Sequence, residues 1–147
     1  MIKICQDAFD PWHEVDSYQR SAVAMAGKYG ATGVFVGTMR DFNEGDDVDS
    51  MILEHYPGMT EKYLEKIVAD AMRRWQVLDT LVLHRVGAIE SNQPIVLVAV
   101  WSARRGDAFD ACRAIMEALK TKAPFWKKEY LADGRARWVE SNSDGYI

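Results

Sequence analysis

The chain lacks the features that mark secreted, membrane-spanning or zinc-binding proteins. It contains only two cysteines in 147 residues, and Cys5 and Cys112 are far apart and outside any CxxC spacing. Neither a disulfide framework nor a zinc knuckle is therefore indicated. No segment approaches the ~18 consecutive apolar residues of a membrane span, and the N-terminus lacks the apolar run of a signal peptide. We expect a cytoplasmic protein that does not enter a membrane.

Histidine and the common catalytic motifs are equally sparse. His13, His55 and His84 are scattered, without the i,i+4 pairing of helical zinc sites, so we expect no metal. The chain contains no G-x-S-x-G, no P-loop and no G-x-G-x-x-G. Hydrolase, NTPase and Rossmann functions therefore have no support, and we expect no bound cofactor.

The residues that are present describe an ordinary globular chain. Hydrophobic residues make up 48% and charged residues 27% of the sequence, which argues against long disorder. The length fits one domain over residues 1–147. Cys112 lies on an apolar helical stripe and is expected to pack in the core. His84 lies in a strand and is expected to be a satisfied core or edge residue.

Hydrophobic periodicity predicts an alternating series of strands and helices. Strands are predicted at 2–5, 32–39, 48–56, 79–87, 94–103 and 135–141, and helices at 15–30, 60–75 and 107–122. Thr60 is the expected N-cap of the second helix, and Pro124 ends the third because proline cannot continue a helix. Adjacent strand pairs without steady βαβ alternation favour an α+β domain with a largely antiparallel sheet.

Charge is distributed unevenly along the chain. Residues 104–137 contain nine basic and five acidic residues, a formal +4; because the whole chain carries -4, the remainder carries -8. This asymmetry can attract a small anion to one region while the remaining surface repels nucleic acid. We therefore expect no nucleic-acid partner.

The densest basic stretch is "LKTKAPFWKKEY", Leu119 to Tyr130. Its lysines permit two interpretations. Lys120 and Lys122 fall in a last helical turn, where cations stabilise the helix dipole, so they are compatible with a purely structural role. Alternatively, the lysines form an anion pocket, with Phe125 and Trp126 anchoring the turn in the core.

Three arginines are further candidates for anion binding. Arg104 and Arg105 stand between a strand and a helix, where side chains and N-terminal amides often meet an anion. Arg40 closes a strand and opens the polar loop "RDFNEGDD". The residues alone predict an α+β domain with a basic, aromatic-lined site for a small anionic ligand, and they do not name a reaction.

Two long motifs nevertheless resemble a known family. "LEHYPGMTEK" (Leu53 to Lys62) and "LKTKAPFWKKE" (Leu119 to Glu129) are similar to the large, catalytic subunit of molybdopterin synthase. "GATGVFVGTMRDFNEGD", "HRVGAIE" and "RWVES" extend the resemblance over residues 30 to 141 in consistent order. The resemblance implies an α/β hammerhead fold and a sulfurtransferase of molybdenum cofactor biosynthesis.

The resemblance also implies substrates and partners. Members of this family convert cyclic pyranopterin monophosphate to molybdopterin by installing the two sulfurs of a dithiolene. The sulfur arrives as a C-terminal Gly-Gly thiocarboxylate on a small ubiquitin-like carrier subunit. The large subunits form a homodimer within a heterotetramer, with one carrier at each end.

Specific residues follow from the same resemblance. Lys120 and Lys127 match the family's catalytic lysines, while Arg40 and Arg105 match arginines that bind substrate. Arg104 stands where the family commonly has histidine, and arginine cannot exchange a proton near neutral pH, so only anion binding is expected there. Two alternatives stay open: a docking scaffold for the carrier that performs no chemistry, and a regulatory module that binds a small anion.

Overall fold

The computed structural model describes residues 1–140, which form two β-sheets and three α-helices. The elements are β1 (Ile2–Cys5), α1 (Pro11–Ser21), β2 (Ala31–Thr38), β3 (Phe42–Asn43), β4 (Asp46–His55), α2 (Met59–Arg74), β5 (Val77–Arg85), β6 (Gly87–Glu90), β7 (Pro94–Ser102), α3 (Arg105–Thr121), β8 (Phe125–Leu131) and β9 (Ala136–Val139). No helix within these residues is both long and apolar enough to span a membrane.

The first sheet has the strand order β1-β5-β7-β2. β1 runs parallel to β5, whereas β5 with β7 and β7 with β2 are antiparallel. Helices α2 and α3 pack on one face around Val98 and Ile115, and Leu97 and Trp101 are buried on the other. Burial on both faces explains why β7 is an almost unbroken apolar run.

The second sheet has the order β3-β4-β8-β9. β6 pairs in addition with residues 50–53 of β4. Its core contains Met51 and Ile89. Ile95 and Phe125 contact the cores of both sheets, so they connect the two layers. Because the described pairings other than β1–β5 are antiparallel, the predicted α+β class with a largely antiparallel sheet is confirmed.

The first helix begins earlier and ends earlier than its apolar pattern predicts. The carboxylate of Asp10 accepts hydrogen bonds from two backbone N–H groups of the first turn, and Pro11 occupies the first helical position. Both features favour a helix start there. The helix ends at Ser21, and a short 3-10 helix, Val23–Met25, then places Met25 in the core.

The predicted N-cap at Thr60 is wrong. Helix α2 begins at Met59, and the N–H of its N-cap residue, Gly58, donates to the carboxylate of Glu61. Thr60 is fully buried instead: its hydroxyl accepts from the Tyr56 N–H at 2.9 Å and donates to the Pro124 carbonyl at 3.2 Å. Thr60 therefore joins the start of α2 to the chain that leaves α3.

The largest difference concerns the segment after Pro124. It was predicted to be a turn, but residues 125–131 form β8, which pairs with β4 and β9. Successive side chains of a strand point to opposite faces. Phe125 therefore stacks on the His84 ring, with centroids 3.9 Å apart, while Trp126 is 48% exposed, so the two rings do not anchor the segment together.

Two smaller differences involve the second sheet. The sequence predicts one strand over 79–87 and no strand after it. In the structure Gly87, at φ 84°, turns the chain out of β5, and the following strand, β6, pairs with β4. The predicted last strand is shorter in the structure, as β9, and residue 141 lies outside the described range. Cys112 packs in the core as expected, and of the two alternatives for His84, core or edge, the structure shows a buried residue.

Candidate functional site

An open pocket of about 740 Å³ lies where the end of β2 meets the β3–β4 hairpin, the end of α3 and β8. Its cationic side chains are Arg40, Lys120 and Lys127, three of the five residues expected at an anion site. Apolar surface comes from Phe35, Met51 and Ile95. The pocket thus combines positive charge with an apolar wall, which suits an anionic ligand that also carries a flat, weakly polar body.

Three different elements position the three cations. Lys120 lies in the last turn of α3, Lys127 is the third residue of β8, and Arg40 follows β2. Pro124 stands between the two lysines and separates the helix from the strand. The guanidinium carbon of Arg40 is 4.8 Å from the centroid of the Phe42 ring, so the hairpin supports that cation through a cation–π contact.

The pKa of Lys120 is lowered from its ordinary value. Desolvation by the surrounding protein is the main cause, and the positive charges of Lys127 and Arg40 add to it. Glu117 acts in the opposite direction. Although Lys120 retains accessible surface because the pocket is open, enough water is displaced for the neutral amine to become easier to form than in a free lysine.

Desolvation also lowers the pKa of Lys127, but its charged neighbours are mixed in sign. Glu129 raises the pKa, Arg40 lowers it, and weaker opposing effects come from Glu44 and Arg137. Lys127 therefore lies between a cationic and an anionic side of the pocket. A lysine in this setting can hold an anion or exchange a proton closer to neutral pH than lysine in water.

A buried carboxylate is the part of the site that sequence reasoning missed. Glu129 lines the pocket with only 4% of its surface exposed. It accepts hydrogen bonds from the Asn43 amide, at 3.1 Å to each oxygen, and from Arg137 Nε, at 3.2 Å. Recognising β8 as a strand would have found it, since residues 127 and 129 then share a face.

A model of the MoaE protein family matches residues 5–122, which include the whole of α3 and the end of β2. This chain belongs to the MoaE family. A curated relative, the molybdopterin synthase catalytic subunit of Pseudomonas aeruginosa, is 52% identical over 139 residues, covering 95% of this chain and 89% of the relative.

Solved MoaE structures share the fold. The MoaE protein from Burkholderia ambifaria MC40-6 matches with a TM-score of 0.78 and 46% identity, covering 99% of this chain and 92% of that one. A molybdopterin synthase from Staphylococcus aureus matches with a TM-score of 0.80 and 29% identity, over 92% of this chain and 94% of that one. These matches confirm the expected hammerhead fold.

Two of the five predicted site residues of this MoaE chain lie elsewhere. Arg104 and Arg105 are exposed at the start of α3 and do not line the pocket. Arg105 and Lys120 are fifteen positions apart along the helix, which at 1.5 Å per residue is about 22 Å. A single chain therefore does not bring these arginines to the lysines.

Proposed function

We propose that this chain is the catalytic subunit of a molybdopterin synthase. It transfers sulfur from the C-terminal thiocarboxylate of a small partner subunit to cyclic pyranopterin monophosphate and so forms the dithiolene of molybdopterin. The observation that carries the proposal is the convergence of Arg40, Lys120 and Lys127 on one open pocket in a MoaE fold. Relatives named as molybdopterin synthase catalytic subunits support the same reaction.

The charges of the reactants explain why the pocket is basic. A cyclic phosphate and a thiocarboxylate are both anions, so bringing them together costs electrostatic repulsion. Fixed cations in a partly dry pocket offset that repulsion more strongly than water does. The apolar wall formed by Phe35, Met51 and Ile95 gives the pterin ring a surface to pack against.

The two lysines take different roles in this proposal. Lys120 binds and activates the thiocarboxylate of the carrier, and Lys127 acts on the pterin side. The lowered pKa of each amine lets it pass a proton to or from a reacting group, a contribution that is typically worth 10²–10⁴-fold in rate. Arg40 holds phosphate through its planar fork.

Arg104 and Arg105 reach a pocket only if a second copy of the chain supplies them. β2 is an edge strand of the first sheet, and Phe35 near its midpoint is 40% exposed. Antiparallel pairing of two β2 strands about that midpoint places Ala31 of one copy opposite Thr38 of the other. Because Ala31 pairs with Ser102, this arrangement brings the arginine pair of one copy towards the pocket of the other.

In this proposal, formation of the homodimer completes each anion-binding pocket. Each pocket contains three cations of its own chain and gains two arginines from the neighbouring chain, which suits a phosphate group that must be held while sulfur is added. The carrier subunit binds at each of the two pockets, which gives a heterotetramer. This arrangement can be compared with the solved structure of a molybdopterin synthase from Staphylococcus aureus.

The first test is molybdopterin formation from cyclic pyranopterin monophosphate and thiocarboxylated carrier. We expect Lys120→Ala to lose activity by about 100-fold or more, because the sulfur donor is no longer held or activated. Lys122→Ala is the matched control: this exposed lysine lies two residues further on and outside the pocket, so activity is retained. Full activity of Lys120→Ala would refute the assigned role, and an inactive wild-type protein that still binds carrier would indicate a docking scaffold.

A further inference from the structure

The pocket wall contains a carboxylate, that of Glu129. A site that binds two anionic substrates would be expected to exclude negative charge. Glu129 follows Lys127 by two residues on β8, so both side chains point to the pocket face. Only 5% of the Glu129 side chain is exposed. A buried carboxylate is costly unless it is hydrogen-bonded and paired, so its partners indicate what it does.

Arg137 and Asn43 are the hydrogen-bonding partners of that carboxylate. Asn43 donates to both oxygens, and Nε of Arg137 donates to one of them. Arg137 lies directly opposite Glu129 in the pairing of β8 with β9. Glu129 is thus held from two sides, by a strand neighbour and by the β3–β4 hairpin.

The remaining nitrogens of Arg137 extend the contact to that hairpin. Nη1 donates to the Asp46 carboxylate at 2.8 Å and lies 3.7 Å from the Glu44 carboxylate, while Nη2 donates to the Asn43 carbonyl at 2.9 Å. One guanidinium therefore joins three segments: β9, the buried carboxylate on β8 and the hairpin. The same hairpin provides Asn43, Glu44 and Gly45 to the pocket lining.

We propose that Arg137 is a positioning residue for the sulfur transfer. By holding Glu129 and the β3–β4 hairpin against β8, it determines where the Lys127 ammonium lies relative to Arg40 and how strongly Glu129 acts on it. This inference rests on the proposed role of Lys127. Arg137 does not line the pocket, so it acts through other residues.

The charges around Lys127 make the inference testable. The groups that face it are Glu129 on its own strand, Arg40 and Glu44 from the hairpin segment, Arg137 from β9 and Lys120 from α3. Glu129 raises the pKa of Lys127, and Arg137 lowers it. Removing the Glu129 charge, or releasing Glu129 from Arg137, should therefore move the titration midpoint of Lys127 downward.

The experiment measures the reactivity of Lys127 directly, by competitive labelling with trace acetic anhydride over a range of pH and mass spectrometry of the peptide that contains it. We expect two variants to move the midpoint downward: Glu129→Gln, which removes the carboxylate charge, and Arg137→Lys, which loses the fork that holds this carboxylate. Arg135→Met is the matched control, because Arg135 also binds Asp46 but makes no contact with Glu129 in the described structure.

Activity gives the second measurement. Arg137→Met should lower kcat/KM by about 10- to 100-fold, since a small misplacement of a catalytic group is costly. Arg137→Lys keeps the charge and loses the fork that holds Glu129, so it should move the midpoint downward, as Glu129→Gln does, and also lower kcat/KM. This variant also carries the test, together with Glu129→Gln, if Arg137→Met does not fold.

An unchanged Lys127 midpoint or a wild-type kcat/KM in folded Arg137→Lys protein would overturn the proposal, as would an unchanged midpoint in Glu129→Gln. A structural role alone would lower stability without moving the Lys127 midpoint, and an effect of the Arg137 charge alone would leave Arg137→Lys like the wild-type protein. The labelling does not depend on turnover. If the wild-type protein makes no molybdopterin, the proposed function fails, while labelling still shows whether Arg137 controls Lys127.

Discussion

At the scale of single residues, burial changes what ordinary side chains can do. His84 is an example next to the pocket. Its ring is buried, stacks on Phe125 and lies with Nδ1 2.8 Å from the Arg85 carbonyl oxygen. Desolvation, with smaller contributions that include the charge of Lys120, lowers the pKa of His84 to about 4 despite the hydrogen bond to that carbonyl. The imidazole is therefore neutral in the folded protein at physiological pH.

Because His84 is neutral in the folded protein, we expect the stability of the protein to fall in acid. The folded pKa of about 4 lies below the ordinary 6.5, so the unfolded chain binds more protons between these values and stability falls as pH drops from 6.5 towards 4. The loss from His84 is at most on the order of 3 kcal/mol. Urea unfolding at about pH 7 and about pH 4.5 should show a smaller difference for His84→Gln than for wild type.

The control for this experiment is His13→Gln, since His13 is exposed on α1. It should show the same loss of stability on acidification as the wild-type protein. An identical loss in His84→Gln would mean that other groups account for the acid sensitivity and that burial of His84 does not contribute to it.

At the scale of elements, the contact between β2 and α3 places Lys120 at the pocket. The two elements run side by side because Gly33 lets the helix backbone approach: a Cβ at this position would lie 2.8 Å from the Ala108 carbonyl oxygen. Helix α3 therefore sits directly on the edge strand that leads to Arg40. The geometry of the pocket depends on this close approach.

Gly33→Ala should consequently push α3 away from β2. We expect a loss of about 1–3 kcal/mol in the free energy of unfolding, the usual cost of overpacking, together with lower synthase activity. Gly106→Ala serves as the comparison within the same helix, because nothing lies within 4 Å of a Cβ there. It should be neutral or stabilising by less than about 1 kcal/mol. Chemical denaturation of both variants distinguishes the two effects, and equal stabilities would argue against a close-packed contact at Gly33.

At the scale of the whole molecule, we propose that two chains contribute residues to each active site. The structure separates Arg105 from Lys120 by the length of α3, so no rearrangement of side chains within one copy joins them. β2 is an edge strand. Pairing of β2 with β2 of a second copy would bring the arginine pair of each copy towards the pocket of the other. Two-fold symmetry then creates two equivalent sites.

Mixing two inactive variants tests the shared site. Lys120→Ala and Arg105→Ala proteins should each be nearly inactive, whereas subunits exchanged between them should recover up to about a quarter of wild-type sites, because each mixed dimer contains one intact site. The assay is molybdopterin formation after subunit exchange. If both residues act within one chain, mixing restores nothing. Lys120→Ala mixed with Lys127→Ala is the control that should stay inactive.

Much of this protein could be predicted from local sequence. Apolar periodicity located most strands and all three helices, since this periodicity depends only on residues that are near one another in the sequence. The motifs Leu53 to Lys62 and Leu119 to Glu129 together identified the family, and Arg40 was found in a further matching stretch, "GATGVFVGTMRDFNEGD". These features depend on short stretches of chain, so the sequence by itself determined the fold class, the family and three pocket cations.

Only the tertiary structure decided which distant residues meet. Glu129 and Arg137 were not recognised as site residues because their importance comes from burial and from the pairing of β8, β9 and the hairpin that contains Asn43. Long-range pairing is set by the packing of the whole chain, and local sequence does not reveal it.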